Sequence, residues 1–274
     1  MITDLYTIKT LSNLHVGSGD INFDLVDNQV QRDTITKLPC INSSSLKGAF
    51  REHFSTKENT KNMVKYIFGP DNSSNDSHQT GAYSFFEAQL LTRSVRSNKK
   101  AYFNATTPSI IKDLLSSINN FSINFDTELK ESLKDFSQLS VEDKNPLIFE
   151  NIEDLIVEDE KAIYHNFDMK IIEAFLGKDI TLLSENDFKN LELPIIARNQ
   201  LENGESKNLW YEEVVPKKST FYFCIAKPSN VDEKDYKEKI KGFDNRFENE
   251  GEIVQIGANR SIGYGFCKIK KVVK

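Results

Sequence analysis

His15 and Asp27 stand in a stretch of the chain with no regular period, "LHVGSGDINFDLVDNQVQRD", Leu14 to Asp33. It holds a His-x-Gly-x-Gly turn, aspartates at 24 and 27, and a Gln-Arg-Asp end. Loops of this length inside a compact domain are uncommon and tend to be functional. A lone loop aspartate is most often a turn former, its carboxylate accepting from nearby backbone N–H groups. Asp27 is therefore a ligand, a catalyst or a turn residue, and its neighbours have to decide.

Lys47 and Arg51 form a second constellation, four apart in "NSSSLKGAFREHF". The stretch reads as a helix capped by Ser43 or Ser44, with Leu46, Ala49, Phe50, His53 and Phe54 as its apolar stripe. Cations in the first turns oppose the partial positive charge of a helix N-terminus, a loss of roughly 0.3–1 kcal/mol. An anion removes the conflict, because the first-turn N–H groups around Ser44 and Ser45 and both side chains converge on it. Phosphate is the expected anion; two solvated charges on an exposed face are the alternative. A third group is the glycine loop "QIGANRSIGYGF", where Gly257, Gly263 and Gly265 permit left-handed backbone and close approach, and Arg260 adds charge. It opens no helix and so is not a dinucleotide fingerprint. The motifs of zinc hydrolases, serine hydrolases, P-loop proteins and calcium loops are absent from the sequence.

The elements that must hold these groups are legible in outline. "DLYTIKTLSNLHVG" opens with a strand, and "NTKNMVKYIFGPD" is a short helix stopped by Gly69-Pro70. "GAYSFFEAQLL" and "KAYFNAT" read as strands, and "TTPSIIKDLLSSI" as a helix with Thr107 as cap and Pro108 at its first position. Residues from about 121 to 190 read as an insertion. Asn203-Gly204 is a strong turn dipeptide and predicts a hairpin over about 195–212. "STFYFCIA" is a buried strand, and "VDEKDYKEKIKGFDNRFENEG" an amphipathic helix with Tyr236, Ile240, Phe243 and Phe247 inward and Gly251 as its stop. Strand, glycine loop and strand close the chain. Stripped of insertions the order is βαββαβ, which predicts an α+β, ferredoxin-like (RRM-like) core in one domain spanning 1–274.

Composition sets limits on partners. A net charge of −6 argues against non-specific nucleic-acid binding over the whole surface, though not against a local basic groove. No run approaches the length of a membrane span, and "MITDLYTIKT" lacks the form of a signal peptide. A cytoplasmic setting without membrane contact is expected. Cys40, Cys224 and Cys267 lie far apart, which fits free thiols rather than a disulfide framework or a zinc site.

Taken together, "LHVGSG", "VDNQVQRD", "SSSLKGAFR", "NLWYEE" and "IGANRSIGYGF", in this order and spacing, resemble the RAMP superfamily of CRISPR proteins. The likeness is to the backbone subunits of type III-B effector complexes that cut target RNA, and it reaches both ends of the chain. The chain departs from the family pattern at Gln29, Lys37, Ser43, Val214 and Ala258. The resemblance implies a ferredoxin-like palm and a thumb-like hairpin, stacked with copies of itself and other complex subunits along a guide crRNA. It implies endonucleolytic cleavage of complementary single-stranded target RNA at regular intervals. It places the catalytic role on Asp27, with His15 and Glu212 beside it, and guide-phosphate binding on Lys47 and Arg51. The glycine loop and the hairpin turn, Asn203 and Gly204, become RNA contacts in the same picture.

RNA can be cut by its own 2′-OH, giving a 2′,3′-cyclic phosphate and a 5′-OH, if the protein aligns the attack and stabilises developing charge. An aspartate, with an ordinary pKa near ~3.9, is a weak base at neutral pH. It is better suited to holding a divalent metal, Mg or Mn, or to orienting the hydroxyl. His15 is either the proton acceptor or a pin for the loop. The rival reading is a non-catalytic guide-RNA scaffold in which Asp27 only shapes the loop.

Overall fold

In the computed structural model, which describes residues 1–19, 26–58, 60–70, 80–230 and 241–272, strand β1 (Ile2–Thr10) lies in the interior of an 11-stranded sheet. Its alternation has a physical reason on each side. Tyr6 and Ile8 are fully buried, and the Tyr6 ring stacks on Phe223 and meets Phe247 edge-on. Thr7 and Lys9, on the opposite side, are half-buried.

After the loop come β2 (Cys40–Ile41), α1 (Ser43–Ser55), α2 (Lys61–Phe68), β3 (Ser84–Phe85) and β4 (Ala88–Val95). Leu46, Phe50 and Phe54 of α1 are fully buried, as their spacing predicts. The cap differs from expectation: α1 begins at Ser43, Asn42 holds the cap position, and no side chain caps the helix. The helix starts one residue early because Gln31 Oε1 accepts from the Asn42 N–H (2.8 Å) and fixes the entry of the chain. Gly69 ends α2 with φ 93°, a conformation glycine adopts without strain.

Next are β5 (Phe103–Thr106), α3 (Pro108–Asn120) and α4 (Thr127–Phe136). Thr107 Oγ1 caps α3 by accepting from the Ile110 N–H, as the sequence predicts. The segment read as an insertion contributes α4 and, after it, β6 (Leu147–Ile148), β7 (Ile156–Val157), β8 (Glu160–Lys161), β9 (Ile163–Tyr164), α5 (Lys170–Leu176), β10 (Ile180–Leu182) and α6 (Glu185–Asn190). It extends the main sheet: β10 pairs parallel to β5, and β6 and β9 follow.

The chain then forms β11 (Ile195–Glu202), β12 (Glu205–Glu213), β13 (Thr220–Lys227), α7 (Lys241–Phe247), β14 (Glu252–Gln255) and β15 (Phe266–Lys271). Tyr236 and Ile240 lie outside the described residues, while Phe243 and Phe247 are fully buried. Sheet order is β14-β15-β1-β13-β4-β5-β10-β6-β9, with β2 paired to β4 and β3 to β13. Parallel and antiparallel pairs occur together, so the fold is mixed α/β with one large mixed sheet. Phe50, Phe54, Phe68, Phe85, Phe243 and Phe247 pack between α1, α2, α7 and the sheet. On the other face, Ile110 and Ser117 of α3 line a cleft with Tyr222. Among the described residues no helix is long and apolar enough to cross a membrane.

Candidate active site at the root of the hairpin

Strands β11 and β12 pair with each other in a two-stranded sheet of their own, apart from the main sheet, and β12 adds one isolated bridge, Glu212 to Asn28. Asn203 (φ 53°) and Gly204 (φ 85°) make the two-residue turn, both in the left-handed region that this hairpin class requires. Ile195, Leu201, Leu209 and Tyr211 are exposed along it, so the hairpin projects from the body. Its return strand ends in Tyr211-Glu212-Glu213, and these three residues organise the site.

Asp27 is exposed, and its Oδ2 accepts from the Tyr211 N–H (2.7 Å). The main chain continues the contact: Asn28 N–H donates to Tyr211 O (3.1 Å), and Glu213 N–H to Asn28 O (2.9 Å). The loop carrying Asp27 is thus stitched to the hairpin root by one side-chain and two backbone bonds. Asp27 Oδ1 has no partner among the described residues. Asp24 lies outside them.

His15 is buried, and its Nδ1 lies 2.7 Å from the Glu213 carbonyl oxygen. A carbonyl only accepts, so Nδ1 carries the proton and Nε2 keeps the lone pair in the neutral ring. Nε2 faces Glu212 Oε1 at 3.8 Å. Glu212 is itself buried and engaged from two more sides. Arg198 of β11 donates through Nε and Nη2 to Oε2 (2.9 and 2.8 Å), and Asn259 Nδ2 donates to Oε1 (2.5 Å). Arg198 also lies over the Tyr264 ring, 4.5 Å from its centroid. So engaged, the carboxylate holds Arg198, Asn259 and the His15 ring in place around it. Glu212 is a positioning residue joining both hairpin strands, the glycine loop and the His15 turn.

Glu213 completes the arrangement, and the sequence reading missed it. Its carboxylate accepts from Val30 N–H (3.1 Å) and from Arg32 Nη2. Gln31 carries the link onward: its Nε2 donates to Ser45 Oγ (3.0 Å) and its Oε1 holds Asn42. The loop therefore couples the hairpin root directly to the start of α1. The adjacent acids at 212 and 213 and the Gln-Arg pair at 31 and 32 were the available signals, but only fold geometry shows what they join.

The phosphate-site candidates divide. Ser44 is exposed, Ser45 is bonded to Gln31, and no side chain caps the first turn. Burial and the neighbouring Arg51 both hold the Lys47 ammonium below its usual range. Arg51 turns inward, where Nη2 donates to Phe68 O (2.7 Å) and Gly69 O (2.8 Å) at the end of α2. It closes the free carbonyls there, a helix-capping role the sequence reading did not foresee.

The glycine loop packs on the His15 turn. A β-carbon on Gly257 would come 2.2 Å from His15 O, which is why this position admits only glycine. Ala258 N–H donates to the same carbonyl (2.9 Å). Gly265 is closed off in the same way by Ile256 O, whereas Gly263 faces open space. Arg260 is exposed on the 3-10 turn Arg260–Ile262. Asn203 and Gly204 lie apart from the other candidates, about 27 Å along β12 from the root at the usual strand rise.

Comparison with known proteins gives a consistent picture. The family model described as the RAMP superfamily matches residues 7–268. A curated relative from Pyrococcus furiosus, named CRISPR system Cmr endoribonuclease Cmr4, is 30% identical over 288 aligned positions, covering 97% of this chain and 94% of the relative. Among solved structures, type III-B Cmr-beta bound to cognate target RNA superposes with a TM-score of 0.78 at 18% identity, covering 99% of this chain and 98% of that one. The oligomeric Cmr4 of Pyrococcus furiosus superposes at 0.71 with 22% identity and full coverage of both chains.

Proposed function

The chain belongs to the RAMP superfamily, and we propose that it is the backbone subunit of a type III-B CRISPR effector complex, binding guide RNA and cutting complementary target RNA. In that role it stacks with copies of itself and with other complex subunits, and base pairing reads the sequence while the protein holds backbone and shape. The relative named an endoribonuclease spans nearly the whole chain, which supports an enzyme rather than a bare scaffold. For the core we infer the ferredoxin-like frame. It is supported by four strands in the order β15-β1-β13-β4, antiparallel between neighbours, with α1 after β1 and α7 after β13.

One observation carries the catalytic reading: Asp27 is exposed yet oriented, with Oδ2 tied to Tyr211 N–H at the root of the projecting hairpin. Orientation without burial is what alignment of a 2′-OH requires. His15, with Nδ1 fixed by Glu213 O, offers Nε2 as its proton-accepting atom. Its burial under the glycine loop also supports the pinning role, and the two tasks are compatible. Glu212 and Glu213 are engaged by Arg198, Asn259 and Arg32, which favours Asp27, among the described residues of the site, as the carboxylate to hold a divalent ion. One carboxylate plus substrate phosphate oxygens suits Mg or Mn, which would supply positive charge at the reacting phosphate.

The test is cleavage of a matched target by the assembled complex. Asp27→Ala should lower the rate at least about a hundredfold while guide loading and target binding persist. Wild-type products should carry a 2′,3′-cyclic phosphate and a 5′-hydroxyl. Normal cutting by the assembled variant would move the scaffold reading ahead.

A further inference from the structure

Strand pairing gathers lysines on the sheet face turned away from α1 and α7. In β15, Cys267 and Ile269 are fully buried, while Phe266, Lys268 and Lys270 alternate with them and are exposed. Lys9 of β1 stands directly opposite Lys268, and Thr7 opposite Lys270, so their side chains leave the sheet on the same side. Lys218, in the turn before β13, lies near Lys9. Burial and then Lys218 hold the Lys9 ammonium below its usual range.

Lys218 opposes Lys9, and Lys268 stands directly across the ladder from it. Lys9, Lys218 and Lys268 have no carboxylate partner among the described residues. Lys270 shares a cleft with Asp126 and Glu248, so the unopposed charge lies at the other three. Lysines often guard an edge strand against pairing, but β1 and β15 are both interior, because β14 covers β15. Lys9 Nζ does approach Gly177 at the end of α5, where a helix favours a cation, which accounts for Lys9 alone. In a chain of net charge −6, such a strip calls for an anionic partner.

Two neighbours specify the anion. Phe266 is 36% exposed on the same face, and Ile253 of β14, opposite Lys268, is 53% exposed. Lysines interleaved with an exposed aromatic on a strand surface suit a single nucleic-acid strand, with phosphates on the cations and a base on the ring. The strip also adjoins the candidate site: β1 leads into the His15 turn, and β15 leaves the glycine loop at Phe266. We propose that Lys9, Lys218 and Lys268, with Phe266, form a second contact surface for single-stranded RNA, separate from the start of α1. The inference rests on the RNA-binding reading above and adds a path for the strand across the sheet.

The experiment titrates the full chain, alone and in the assembled complex, with single-stranded RNA of arbitrary sequence across a salt series. Lys9→Ala with Lys268→Ala should weaken binding and flatten the log–log salt slope by about 1.4, roughly 0.7 for each phosphate left without its lysine. Lys9→Arg with Lys268→Arg should keep the slope, and Phe266→Ala should weaken binding at unchanged slope. Lys268→Glu, on an exposed side chain, carries the test should the double variant fail to fold. Wild-type binding with no change of slope in the double variant or in Lys268→Glu overturns the strip and leaves the RNA-binding reading standing. No binding by wild type in either form overturns both.

Discussion

Lys47 and Arg51 look equivalent in the sequence, two cations on one helix face, and the structure gives them different work. Arg51 donates to Phe68 O and Gly69 O, so its charge is spent largely on the end of α2. Lys47 remains at the side of an uncapped helix start. Lys47→Ala should therefore weaken guide binding and reduce its salt slope by about 0.7 with little change in stability. Arg51→Ala should in addition destabilise the fold by roughly 1–3 kcal/mol, because buried carbonyls lose a charged donor. Urea denaturation beside the binding series separates the two; equal stability of both variants would remove the capping role. The same lesson applies to Glu212. Its match to an acidic family position marked it for chemistry, but a residue type says nothing about occupancy, and Arg198 and Asn259 already fill its oxygens.

The elements were more legible than their partners. The turn at Asn203-Gly204, the cap at Thr107 and the stop at Gly69 follow from local backbone chemistry, and each is found where expected. The 121–190 segment resisted reading because its strands are two or three residues long and depend on pairing, β10 with β5, β6 with β10 and β9, and β7 with β8. The hub at Glu213 was opaque for a similar reason: its carboxylate joins residues 181 and 183 positions away, Arg32 and Val30. The hairpin itself gives a prediction. Among the described residues its tip is held by nothing beyond its own ladder, while its root is fixed by Asp27, Asn28 and Arg198. Deleting 200–206 and rejoining the strands should leave the fold and Asp27 in place but disturb the regular spacing of cuts. Unchanged product lengths would show that the hairpin does not set the interval.

At the scale of the whole molecule, the sheet closes only when the last fifth of the chain returns to the first ten residues, since β1 pairs with β13 and β15 on its two sides. A buried charge cluster marks that closure. Lys227, 6% exposed at the end of β13, donates to Asp4 Oδ2 (2.6 Å), Asp244 Oδ1 (2.5 Å) and Tyr6 Oη (3.0 Å). Burial alone would raise the Asp4 pKa, but Lys227 and Lys271 outweigh it and hold the carboxyl below its ordinary range. A carboxyl depressed in the folded state contributes stability above its unfolded pKa, and the contribution is lost as pH falls through the folded value. Lys227→Met removes the shared cation and leaves Asp244 without its partner and Asp4 with Lys271 alone. The expected cost near neutral pH is about 3–5 kcal/mol, the usual consequence of stranding buried charge. The penalty should shrink as pH falls below the ordinary carboxylate range toward the depressed Asp4 value, where the wild-type protein loses the same interaction. Urea midpoints measured from about pH 3 to 7 check both statements. A variant whose midpoint tracks wild type across that range would mean that β1, β13 and α7 are held by their aromatic packing and not by this cluster.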